Sequence, residues 1–253
     1  AGPPLQGSGQ RAVIARVPGA QALPFFESDP FSQTEPLALL RAFSQETPFF
    51  DVYASDTGAG VLAGDTLYLS RQAADEEWAE LARWLSPKRI FGLSSPLSGY
   101  RARPIYRIRF SRPLSHPKGR EAGERELPQV YGLLSSVFPG LPSFEDFRQN
   151  QILSRFYLGG KVLWAGRGVQ GTMARLCSVD GVDKLDSLAV SPAARGKGLG
   201  RALVAALVNE ALRAGRQPVL DCEEDRKTYY LALGGEIFQK TEVQQHELFS
   251  ENS

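Results

Sequence analysis

Apolar positions along the chain switch between two spacings, one near 3.6 residues and one of two, which predicts a fold of mixed helices and strands. Leu37, Leu40 and Phe43 recur at helical spacing behind Pro36, a residue suited to a first helical turn. Residues 49–55 and 60–70 read as two strands joined by the turn Asp56-Thr57-Gly58. Trp78, Leu81, Ala82 and Leu85 fall at i, i+3, i+4 and i+7 on a second helix, which Pro87 closes. Another strand spans residues 89–93. Ser94-Ser95-Pro96 and Ser98-Gly99 are turn material, and they place a domain boundary near residue 100. Two domains are expected: an α/β domain over residues 1–103 and a larger one over residues 104–253.

In the second region Tyr106, Ile108 and Phe110 share one strand face, with Arg107 and Arg109 on the other. Helices are predicted over residues 128–138 and 143–157. Ser143, with Asp146 three residues later, resembles a capping box at the start of the latter. Strands follow over residues 161–165, 172–179 and 184–190. A long helix over residues 198–214 buries Leu203, Leu207, Ala211 and Leu212 and stops at Gly215. A strand (218–222), a short helix (226–233) and a strand-like stretch (236–249) complete the chain. The class is α/β (α+β), a mixed central sheet flanked by helices.

Composition narrows the functions available. With 253 residues, 42% hydrophobic and 23% charged, the chain can bury a core in one large or two modest domains. No apolar run approaches the ~18 residues of a membrane-spanning helix, so no membrane association is expected. No signal peptide is visible, and Ala1-Gly2-Pro3-Pro4 reads as a flexible or processed start. A net charge of +1 makes no general case for nucleic acid. The local cluster Arg101, Arg103, Arg107, Arg109, Arg112, Lys118, Arg120 and Arg125 reads as a solvated linker plus one strand face. Two cysteines and two histidines make neither a zinc cluster nor a disulfide framework. No metal is expected, and Cys177 and Cys222 read as the reduced thiols of a cytoplasmic protein.

The candidate chemistry lies where the strand ending in Leu188-Ala189-Val190 turns through Arg195-Gly196-Lys197-Gly198-Leu199-Gly200 into the long helix. Glycines let the backbone approach an anion and point successive N–H groups into one concavity, while the helix adds its positive end. The loop is not a Walker A loop, because no hydroxyl residue follows Lys197. Nor is it a dinucleotide fingerprint, because Arg201 stands where the third glycine belongs.

Arg195-x-x-Gly198-x-Gly200, preceded by Leu188-Ala189-Val190-Ser191-Pro192 and followed by Arg201-Ala202-Leu203, resembles the signature of the GNAT superfamily of N-acetyltransferases. The element order from about residue 105 onward resembles that family too. The resemblance implies acetyl-CoA as donor, its pantetheine on the main chain of Leu188 and Val190 and its pyrophosphate on the amides from Lys197 to Gly200. It implies an enzyme that moves the acetyl group to a primary amine of a small molecule or peptide. Tyr229-Tyr230-Leu231-Ala232-Leu233-Gly234-Gly235 is similar to the family's tyrosine motif and puts Tyr230 in the place of the acid, with Tyr229 as the lesser choice. Gly235 stands where the family has Phe, and Glu223 where Asn is common. Asp186 falls at a frequent acidic position and is the candidate base, expected on the strand face of Leu188 and Val190; Glu223 is a second candidate. A non-catalytic acyl-CoA-binding or regulatory module with the same fold is the alternative. The first region has a similar element order without a glycine loop, since Ser70-Arg71-Gln72-Ala73-Ala74-Asp75 holds no glycine. It is expected to be a degenerate GNAT-like half that binds no cofactor.

Overall fold

A computed structural model describes residues 13–44, 49–73, 76–93, 95–138 and 140–249. The expected processed start at Ala1–Pro4, Ser94 of the boundary turn, and Ala74 and Asp75 of the glycine-free segment lie outside the described residues. The first run of elements is β1 (Ala15–Arg16), α1 (Gly19–Glu27), α2 (Thr34–Ala42), β2 (Phe50–Ala54), β3 (Ala59–Ala63), β4 (Thr66–Leu69), α3 (Glu76–Leu85), β5 (Arg89–Phe91) and β6 (Tyr100–Arg109). The second is β7 (Arg120–Glu121), α4 (Leu127–Val137), α5 (Phe144–Tyr157), β8 (Lys161–Ala165), β9 (Gly171–Val179), β10 (Val182–Val190), α6 (Leu199–Arg213), β11 (Gln217–Cys222), α7 (Glu224–Ala232) and β12 (Glu236–His246).

All of these strands join one mixed sheet in the order β1-β2-β3-β4-β5-β12-β6-β11-β10-β9-β8-β7. The two runs have the same layout. In each, a two-residue edge strand leads through antiparallel neighbours to one parallel pair, β4 with β5 and β10 with β11. The last strands are exchanged. β12 pairs with β5 of the first run, and β6 pairs with β11 of the second. β6 and β12 then pair with each other from Glu236↔Arg109 to His246↔Tyr100. The expected boundary at residue 103 falls inside β6.

Several local expectations differ from the structure for identifiable reasons. Residues 60–70 form a hairpin, not one strand, because Gly64 at φ 56° and Asp65 supply a two-residue turn between Ala63 and Thr66. Helix α1 went unpredicted because Pro24 reads as a breaker, yet it sits inside the helix, which buries Ala22 and Phe26. Ser143 caps α5 as expected, accepting from the Asp146 amide at 3.2 Å. Cys177 and Cys222 are free and buried.

Two cores flank the C-terminal part of the sheet. On one face Tyr106, Ile108, Phe110, Leu185 and Leu220 pack under Leu203, Leu207 and Val208 of α6. On the other, α2 of the first run lies across β9, and Cys177 and Val179 join Leu37, Leu40, Val52 and Val61 in one cluster. Beneath α2 sits a buried ionic group. Asp221 Oδ2 is 2.6 Å from Lys184 Nζ, and its Oδ1 is 3.2 Å from Arg107 Nε. Arg107 also donates to the Ser32 carbonyl, and Lys184 lies 3.9 Å from Glu35 of α2. Arg107, expected on a solvated face, is instead 9% exposed, because Asp221 and the backbone of the first run supply its partners.

Burial alone would raise the Asp221 carboxyl, but Lys184 and Arg107 outweigh it and hold the group below the usual carboxylate range. A depressed folded-state pKa contributes stability above the unfolded value of about 3.9, lost as pH falls through the folded value. Asp221→Asn is therefore expected to cost about 3–5 kcal/mol at neutral pH, since it strands two buried cations. Urea unfolding should show this, together with a flatter acid dependence below about pH 4; a cost below about 1 kcal/mol would mean the pair is no clamp.

Candidate active site

The site begins where two strands part. β10 and β11 run in parallel and pair from Val182↔Gln217 to Leu185↔Leu220, then stop. β10 continues to Val190 with β9 on its other side, and β11 continues to Cys222 with β6 on its other side. A gap therefore opens between the carboxyl ends of a parallel pair, where open α/β sheets bind ligands. Along residues 186–190 the main-chain groups on the gap side have no strand partner among the described residues. The Ser187 amide donates to the Asp186 carboxylate and the Val190 carbonyl accepts from Arg195, and the other groups are open to an extended ligand arm.

A bulge shapes this end of β10. Ser187 has φ 58°, and the pairing with β9 shifts between Asp186 and Ala189. The extra residue resets which way later side chains point. Leu188 packs on the α6 core, and Val190 lies beside Gly200 of α6, while Lys184 faces α2. Asp186, two residues after Lys184, stays on the α2 face. It does not share a face with Leu188 and Val190 as the plain alternation predicted; the bulge is the reason.

At the far end of the gap the chain turns through Arg195 and Lys197 into α6. Gly196 and Gly198 hold φ 74° and 76°, the left-handed region that favours glycine, and Gly198 caps the helix with no side-chain bond to it. The first-turn amides of α6 thus remain free, and its first turn contains no acidic residue. Arg195 donates to the Val190 carbonyl at 3.3 Å, and Lys197 to that of Ala193 at 2.9 Å. These exposed side chains, with Arg201, surround the loop with positive charge.

Residues 157–234 match the family model described as the acetyltransferase (GNAT) domain. The chain carries a GNAT domain. Solved structures of similar fold include a GCN5-related N-acetyltransferase from Sphaerobacter thermophilus, 16% identical over 93% of this chain and 95% of that one, TM-score 0.59. A GNAT-family acetyltransferase from Colwellia psychrerythraea is 15% identical over 92% and 98%, TM-score 0.55. A tandem GNAT protein from the clavulanic acid biosynthesis pathway is 12% identical over 92% and 98%, TM-score 0.59. At such identities the likeness is one of fold. No curated protein sequence matches the chain.

Helix α7 brings the tyrosines of the GNAT domain to the gap. Tyr230 is buried in the α6 core, and its ring meets that of Tyr229 edge-on at 5.1 Å. Burial, then the negative charge of Asp186, pushes the Tyr230 phenol above its ordinary value. Gly235, where the family carries Phe, has no room for a side chain: a Cβ there would lie 2.5 Å from Ile108 Cγ2. Glu223, the second candidate base, is exposed and 3.7 Å from Arg103. Asp186 is exposed to solvent at the edge of the gap. Loss of hydration, then the Glu35 charge, raises its carboxyl; Lys184, the Ser187 amide and Arg89 pull it back. Glu35 also accepts from the Tyr68 hydroxyl, and Tyr68 stacks on Phe91 at 5.5 Å. The first run thus brings Glu35 and Tyr68 within electrostatic range of Asp186, with Phe91 behind Tyr68, residues that no local motif marked. No helix among the described residues is long and apolar enough to cross a membrane.

A side chain at position 200 meets the Tyr229 hydroxyl, 2.8 Å from its Cβ and at the tip of a side chain that can turn aside, and a glutamate there would put a carboxylate at the free amides of α6. Gly200→Glu is expected to abolish coenzyme A binding in calorimetry while leaving the fold intact by circular dichroism. Retained binding would exclude the loop as the donor site.

Proposed function

We propose that the chain is an N-acetyltransferase, working in the cytoplasm, that passes an acetyl group from acetyl-CoA to a primary amine of a small molecule or peptide by direct attack. The observation that carries this reading is the gap between β10 and β11, with the glycine loop at one end and Tyr230 within electrostatic range of Asp186 at the other. Its residues fit the donor. Leu188, Ala189 and Val190 offer main chain without a strand partner on the gap side for the pantetheine arm. The amides from Lys197 to Gly200, including Leu199, take the pyrophosphate, with Arg195, Gly196 and Arg201 completing the cradle. When bound, acetyl-CoA supplies the acetyl group as a thioester.

The protein's own groups manage protons. Asp186 accepts the proton that the attacking amine loses, and its raised pKa makes it a better base than an ordinary carboxylate. Tyr230, held protonated by burial, donates a hydrogen bond to the departing sulfur. Cys222 supports direct attack over an acyl-enzyme. Burial pushes its thiol up to about 11, so it carries little thiolate at neutral pH. An acidic group and a protonated phenol within electrostatic range of each other favour an enzyme over a non-catalytic acyl-CoA-binding module.

The N-terminal half belongs to this proposal as a degenerate GNAT-like half that binds no donor. Its repeated element order supports that, as does the fold it shares with a protein described as a tandem GNAT. The equivalent gap is filled: a Cβ on Gly92 would lie 2.4 Å from the Leu69 carbonyl oxygen. Glu76 and Glu77 occupy the first turn of α3, where they repel an anion. Glu35 and Tyr68 instead shape the acceptor side of the C-terminal site.

Thiol release from acetyl-CoA over a panel of primary amines tests the reading; no turnover with any amine, despite donor binding, would overturn the enzyme. Tyr230→Phe should lower kcat by about 10²-fold with little change in coenzyme A affinity. An unchanged kcat would exclude the role given to it. Protonated Asp186 cannot accept a proton, so the wild-type rate should fall as pH drops through its raised pKa. Asp186→Asn should lower the rate and remove that acid limb, and a limb that persists would assign it to another group.

A further inference from the structure

The side chain of Tyr229 lies where the proposed donor site needs one more group. Its hydroxyl crosses from α7 to the first turn of α6, 2.8 Å from the position a Cβ on Gly200 would take. Val190 Cγ2 lies 3.6 Å from the same point, so Tyr229 closes over the junction of β10 and α6. The ring is anchored edge-on against Tyr230. The hydroxyl itself has no hydrogen-bond partner among the described residues. It is also a neutral phenol at neutral pH, since burial raises its pKa despite the pull of Arg201. It lies over the first turn of α6, whose amides are donors as well. A half-exposed hydroxyl donor beside the uncapped start of a helix is short of one acceptor, and an oxyanion supplies it.

We propose that Tyr229 is a donor-binding residue, its hydroxyl donating to a phosphate oxygen of the coenzyme A pyrophosphate. This rests on the donor site proposed above and adds to it a contact from outside the glycine loop. It also gives Gly200 a second reason to lack a side chain. Tyr229 occupies the space over it, so the glycine serves the tyrosine as well as the anion. Because the two tyrosines touch, the phosphate contact fixes α7, and with it Tyr230, relative to the donor.

Calorimetric titration of the full chain tests this with two ligands, coenzyme A and S-acetylpantetheine, which lacks the pyrophosphate. Tyr229→Phe keeps the ring and removes the donor. It is expected to weaken coenzyme A binding about tenfold, the scale of one hydrogen bond to a charged group, and to leave S-acetylpantetheine binding unchanged. Unweakened coenzyme A binding, or equal weakening of both ligands, would overturn the contact. Failure of the wild type to bind coenzyme A would overturn the donor site itself and this contact with it. A stability measurement checks the placement independently. Gly200→Ala meets the Tyr229 oxygen in the wild type, whereas the nearest ring carbon, Cζ, is 3.8 Å away. In the Tyr229→Phe background Gly200→Ala should therefore raise the thermal midpoint relative to its effect in the wild type, as alanine is the better helix residue. Additive effects would show that the hydroxyl does not sit over Gly200.

Discussion

The parting of β10 from β11 after Leu185 and Leu220 is the constraint on which the rest of the site depends. Parallel strands that stayed paired to their ends would satisfy their own main chain and leave nothing for a ligand. The bulge at Ser187 turns the end of β10 away, frees its main chain on one side and redirects its side chains. Leu188 and Val190 then pack toward α6 and the glycine loop, while Asp186 remains toward α2. One irregular residue thus separates groups that face α6 from groups that face α2. Tyr230 reaches the gap from α7, within electrostatic range of Asp186.

Keeping such a gap open requires rigid walls, and the exchange of β6 and β12 provides one of them. β11 forms the far wall, and its outer neighbour is β6, a strand from the first run. Asp221 on β11, Lys184 on β10 and Arg107 on β6 bind three strands at the base of the gap, and Glu35 and Ser32 tie that group to the first run. Removing one partner of so buried a set costs far more than an exposed ion pair would. The N-terminal half is therefore scaffold for the gap, and under the proposed reading it walls the acceptor side as well. Its own gap is filled by the contact of Gly92 with Leu69.

Much of this was legible in the sequence wherever the signal is local. The turn at Gly196 and Gly198, the long helix behind it and the Ser143 cap follow from backbone freedom and capping chemistry within a few residues. The GNAT resemblance rested on that same short stretch, with the element order from about residue 105 and the Tyr229–Gly235 motif in support, and the family match covers residues 157–234. What sequence alone did not show is non-local or depends on register. Strict alternation placed Asp186 beside Leu188, because a bulge leaves no mark in the residue pattern. Arg107 read as a surface charge, because its partners Asp221 and Ser32 stand far away in the chain. Glu35 and Tyr68 were invisible for the same reason, and Pro24 concealed α1. The exchanged strands could not be read at all, since β6 and β12 would show the same alternation in either position.

The central claim is that only the C-terminal gap accepts the donor, while the first half supplies walls. Titration of the full chain with coenzyme A, read as stoichiometry, tests this most directly. The account predicts one molecule bound per chain. Two per chain would show that the gap at β4 and β5 opens after all, and none would remove the donor site from the β10–β11 junction.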